Sequence, residues 1–167
     1  MRHRSGSTVS SHRPVIRRAI LTAALLVGWV DHATDAAPVQ GSLCTIDTSG
    51  IEFGIYDTRS PTPLDATGGV TFSCSTSLVV TIVFTPGVSG SFDRTMSGGA
   101  DQLSYNLYLD PFHTQVWGDG TTGTSVYINT NPPKDASIGV PVYGQIPARQ
   151  SVTEGRYTDS LMVVLVF

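Results

Sequence analysis

With 167 residues, 14% of them charged, the chain has room for one domain with a real core and little more. Five of its ten basic residues and two of its thirteen acidic ones lie before residue 37, so the remainder holds five against eleven, a net of −6. A surface that acidic has no electrostatic reason to approach phosphate backbones, which argues against nucleic acid as a partner and for solubility after export.

The chain opens on Arg2, Arg4, Arg13, Arg17 and Arg18, followed by an apolar run over 19–30 and then the small residues Ala33, Thr34, Ala36 and Ala37 before Pro38. Basic, apolar, small is the order of a secretory leader. The apolar run is about a dozen residues, short for a helix crossing ~30 Å of hydrocarbon, so an uncleaved anchor is the lesser reading. Cleavage is expected near Ala36. That gives a leader over 1–36 and an exported mature domain over 37–167.

The mature part holds both cysteines, Cys44 and Cys74. In an exported chain an even count reads as one disulfide, and closing a loop of this length stabilises by roughly 3–4 kcal/mol in the chain-entropy model. Its single histidine, His113, is too little for zinc. No metal and no cofactor is expected.

Apolar residues then recur with period two. Strands are predicted over 43–47, 51–56, 69–75, 78–85, 102–110, 125–128, 140–146 and 157–167. In 78–85, Leu78, Val80, Ile82 and Phe84 share one face. Turn chemistry separates the runs at Gly68-Gly69, Pro86-Gly87, Gly98-Gly99, Gly118-Asp119-Gly120 and Asn131-Pro132-Pro133. So many short strands with almost no helical pattern predict an antiparallel β-sandwich. Residues 161–167 are apolar on both pleat faces. Such a strand is either central and covered by earlier strands, or an edge that another chain must cover.

Chemistry is harder to find. Gly87-Val88-Ser89-Gly90 lacks the spacing of a nucleophile elbow. His113 reads as loop decoration, and Asp110 with Asp119 as turn residues rather than a hydrolytic pair. The chain is expected not to be an enzyme and to take no small-molecule substrate.

Several stretches in order carry a resemblance. They are Phe53-Gly54-Ile55-Tyr56 after Cys44, Cys74 itself, residues 105–110 (Tyr-Asn-Leu-Tyr-Leu-Asp) and Trp117-Gly118-Asp119-Gly120-Thr121. Residues 142–148 with Gln150, and Gly155-Arg156-Tyr157-Thr158-Asp159, complete it. From Cys44 to Phe167 the chain resembles the spore coat protein U domain, the subunit type of archaic chaperone–usher pili. The resemblance implies an all-β fold, an incomplete immunoglobulin-like antiparallel β-sandwich lacking its last strand. It implies a periplasmic chaperone, an outer-membrane usher and other pilin subunits as partners, joined by strand donation. It also implies export through the periplasm to the cell surface as pilus or coat, with surface adhesion and biofilm formation.

Within that frame Leu161, Val163, Leu165 and Phe167 are the expected contacts for a chaperone or donor strand. Residues 37–43 hold only Val39 and Leu43 as large apolar side chains and include Pro38 and Gly41. They make a poor donor strand, so the subunit is expected to accept a strand, donate none and sit at a fibre tip. The competing class is a self-complete secreted binding module, or a spore or cell-surface coat protein. It differs in being stable as a lone monomer.

Overall fold

The computed structural model describes residues 43–167, all strand, turn and loop, with no helix among them. The predicted leader lies outside the described residues.

Nine strands form two antiparallel sheets and a ribbon. The first sheet is ordered β1 (Cys44–Thr48), β2 (Leu64–Cys74), β8 (Ile138–Ile146), β6 (Asn106–Tyr108). The second is ordered β7 (Tyr127–Asn129), β3 (Val80–Phe84), β9 (Val163–Val166), and β4 (Thr95–Gly98) with β5 (Asp101–Ser104) makes the ribbon. None of the sheets closes into a barrel.

Period two drives the packing. In β3, Val80, Ile82 and Phe84 are buried while Thr81 and Val83 lie outward, as the alternation requires. Val70, Phe72 and Cys74 of β2 and Val140, Val142 and Ile146 of β8 meet them from the first sheet. Trp117 is fully buried between the sheets. Its ring stacks on Phe84 at 4.4 Å, and its indole N–H donates to the Ile82 carbonyl at 3.0 Å. Cys44 and Cys74 face each other in the β1–β2 register and are joined by a disulfide.

Several expected boundaries shift. Gly68-Gly69, expected as a turn, lies inside β2 opposite Val142 and Pro141. The reason is steric: a Cβ on Gly68 would collide with the Gly50 carbonyl oxygen and with Ile51, which cross the strand there. The single strand expected over 102–110 is broken at Tyr105, so that β5 pairs with β4 while β6 joins β8. The strand expected over 125–128 is displaced to Tyr127–Asn129.

The expected strand over 157–167 forms a ladder only from Val163 to Val166, apart from a single bridge between Thr158 and Ser97, and in its sheet it is an edge rather than a centre.

Candidate functional site

A cleft of about 1200 Å3 opens between residues 50–58 on one side and 152–163 on the other. Its floor is hydrophobic core, including Val70, Met96, Leu103, Leu107, Val142 and Ile146.

The first wall is the stretch over 51–56. Its alternation suggested a strand, yet it joins no ladder, and among the described residues no backbone hydrogen bond ties it. Gly54, at φ 77°, interrupts any regular strand there. Side chains hold the wall instead. Ile51 and Phe53 both approach Gly144 of β8, where an added Cβ would come within 2.7 Å of the Phe53 ring. Phe53 also meets Tyr105 edge-on at 6.0 Å. The Tyr56 hydroxyl donates to the Pro147 carbonyl and accepts from the Gln150 N–H, each at 2.8 Å. Ile55 lines the cleft and is 95% exposed.

The second wall is tied far more firmly. Ser97 and Thr158 exchange backbone hydrogen bonds at 2.9 and 3.1 Å. Asp101 accepts from both the amide and the hydroxyl of Thr153 at 2.7 Å. Those two bonds, the hydroxyl's first, hold the Asp101 carboxyl below the usual carboxylate range. Tyr157 lies flat against Gly98 and donates its hydroxyl to the Thr153 carbonyl at 2.8 Å. Asp159 accepts from the Tyr105 hydroxyl at 2.7 Å, the Val88 N–H at 3.0 Å and the Ser160 N–H at 2.7 Å. Burial first, and the bond to Asp159 second, push the Tyr105 phenol well above its ordinary pKa, so it stays a donor. Beyond Asp159 the wall becomes β9, which pairs with β3 on one edge and with nothing among the described residues on the other.

Beneath the cleft lies Arg94, fully buried. Its guanidinium donates to Asn106 Oδ1 at 2.7 Å and to the carbonyls of Thr85 and Trp117 at 3.1 and 2.8 Å. It thereby fastens the end of β3 to the Trp117 loop.

An unladdered stretch over 51–56 on one side, and on the other a tied wall that ends in the open edge of β9, thus flank an apolar trough. The chemical complement is an extended segment whose N–H and C=O groups pair with a wall and whose alternate side chains fill the floor. Of the expected contact residues, Leu161 and Val163 line the cleft, and Leu165 packs against the core on the same face of β9. Phe167 is not gathered with them; it lies past the strand and is 57% exposed. The first wall, Tyr105 and Asp159 went unread as site residues. Only the period-two spacing of Ile51 and Phe53 carried a signal, and it reports facing rather than pairing.

The residues weighed for catalysis are occupied elsewhere. Asp110 accepts from the amides of Phe112, Thr114 and Gln115, folding its own loop. Asp119 does the same with Thr121. His113 sits 3.1 Å from Gln145 and edge-on to Tyr108. Among the described residues no three His, Cys, Asp or Glu side chains gather as a metal site.

Comparison with known proteins finds relatives in sequence and in fold. The family profile described as Spore Coat Protein U domain matches residues 31–164. Protein U of Myxococcus xanthus is 30% identical over 175 residues, covering 89% of this chain and 95% of its own length. Among solved structures, a similar fold is found in the CsuC–CsuE chaperone–tip adhesion subunit pre-assembly complex from archaic chaperone–usher Csu pili of Acinetobacter baumannii. The TM-score is 0.53 at 18% identity, over 75% of this chain. The match spans 40% of that solved chain's length.

Proposed function

The chain belongs to the Spore Coat Protein U domain family, and on that premise we propose that it is a structural subunit of a secreted pilus or coat that accepts a β-strand from another chain. The observation carrying this reading is the cleft, an apolar floor between the unladdered stretch 51–56 and a wall that ends in the open edge of β9.

Leaving such a trough in water forgoes apolar burial. Each large apolar side chain set into it contributes about 1.5–3 kcal/mol, so three on alternate positions reach roughly 5–9 kcal/mol before ordering costs. The first occupant in this reading is a periplasmic chaperone, replaced at an outer-membrane usher by a strand from a neighbouring subunit. A leader over 1–36 directs export, and adhesion at the cell surface is the outcome. The tip position rests on the poor donor pattern of residues 37–43 and follows the acceptor role. The fold shared with a chaperone–subunit complex supports the acceptor reading.

Hydrogen exchange on the full mature chain tests it. Amides over 51–56 and 163–166 are expected to exchange fast or aggregate when the chain is alone, and to become protected in a co-expressed chaperone complex. A partner-free chain that folds cooperatively, stays soluble and protects both segments would overturn the reading in favour of a self-complete module. Fibres formed by this subunit alone through its own N-terminus would remove the tip position while leaving the pilus assignment.

A further inference from the structure

The cleft has charged lips as well as an apolar floor. Glu52 and Asp57 line it on the first wall and Glu154 and Asp159 on the second, with Arg156 as the one cation among the described lining residues. That is four carboxylates against one guanidinium, a net of −3. Asp159 is turned inward to Tyr105, Val88 and Ser160, and Asp57 accepts from the Arg59 N–H at 2.9 Å. Glu52, Glu154 and Arg156 are exposed and, among the described residues, make no hydrogen bond or ion pair. The two glutamates are therefore free charges, one on each wall of the same trough.

On the strand-accepting reading, which this inference requires, we propose that the cleft selects a basic strand. Its occupant is an extended segment of a different protein chain, with apolar residues at alternate positions and lysine or arginine between them. A strand laid in the trough sends alternate side chains down to the floor and the others up between the lips. Neutral outward residues would displace the water that screens the carboxylates and raise their mutual repulsion. Cationic ones relieve it, and complementary charge of this kind sets which partner docks and how fast. The chain's own N-terminal segment does not fit. Residues 37–43 hold no charge, and extending them back adds Asp31 and Asp35 with no lysine or arginine. A second copy offering that segment would bring neutral or acidic positions to acidic lips, so the occupant is another chain.

Fluorescence anisotropy of labelled synthetic strands, added as the full mature chain refolds from urea, tests this. Three strands of equal length carry valine at alternate positions and lysine, glutamine or glutamate between, and a fourth is residues 31–43. The lysine strand is expected to bind about tenfold tighter than the glutamine strand, the sum of a few exposed pairs, and the glutamate strand weakest. Salt at about 1 M, which screens charges beyond about 3 Å, should close that gap in the wild-type chain. Glu52→Gln with Glu154→Gln should bring the lysine strand to the affinity of the glutamine strand. Equal affinities, a gap that both salt and the double variant leave open, or tightest binding by 31–43 overturns the basic partner and leaves the strand-accepting cleft standing. Failure of every strand to bind overturns the strand-accepting reading and the basic partner together.

Discussion

Tyr105 and Asp159 are joined across the cleft, the phenol donating to the carboxylate at 2.7 Å from a buried ring. The bond links the core beneath the floor to the wall that continues into β9. Because Asp159 also takes the Val88 N–H, one carboxylate holds three segments together.

Tyr105→Phe is therefore expected to destabilise the domain by about 1–2 kcal/mol, the scale for losing a hydrogen bond to a charged group. Urea midpoints read this directly. The mutation should also raise amide exchange at Ser160 and Val88, which still bond to the loosened carboxylate. Stability within about 0.5 kcal/mol of wild type would show the bond to be incidental.

Arg94 calls for a larger effect. Burial pushes its guanidinium pKa down, yet it serves two main-chain carbonyls and Asn106 with nothing else placed to replace it. Arg94→Ala strands those acceptors in the interior and leaves a void under Trp117. A loss of about 3–5 kcal/mol is expected. Arg94→Met restores volume without donors and should recover only part of it. Full recovery by Met would mean that packing, not hydrogen bonding, is Arg94's contribution.

How much of this could be read in the chain follows from what each pattern reports. Strand β3 was legible because its alternation serves one covered face, and the disulfide because export leaves two cysteines one partner each. Residues 51–56 alternate as well, but alternation says which side chains face the core and nothing about whether the main chain finds a partner. Gly68 looked like a turn for want of knowing that Gly50 and Ile51 pass over it. Thr158 and Asp159 read as the start of one long strand. They are instead committed to Ser97 and Tyr105, contacts distant in sequence. Arg94, a lone cation in a polar stretch, carried no signal at all.

Gly144 gives a test of the first wall. A valine there would drive its side chain into Phe53 and against Ile51, with nowhere to go but outward into the cleft. Gly144→Val is expected to cost about 1–3 kcal/mol by overpacking and to expose residues 51–56 to protease. Gly139→Ala is the control in the same strand, since an added Cβ there meets nothing within 4 Å. It should be neutral within about 0.5 kcal/mol, as surface substitutions usually are. Equal behaviour of the two variants would remove the proposed packing of Phe53 on β8.

The second wall should loosen with acid at a defined place. Thr153 donates twice to Asp101 and keeps that carboxyl below its ordinary value of 3.8. A carboxylate whose folded pKa is depressed stabilises the fold fully above the unfolded value, and that stabilisation is lost as pH falls through the folded one. The Thr153 amide, followed by NMR on the mature domain, is thus expected to hold its position from neutral pH down to about 4. It should then titrate with a midpoint below 3.8 as Asp101 takes up a proton. Asp101→Asn keeps an acceptor oxygen but no ionisable group, so the step should vanish while the wall stays in place near neutrality. A midpoint at or above 3.8, or an unchanged step in Asp101→Asn, would assign the transition to another group and detach Asp101 from the wall's stability.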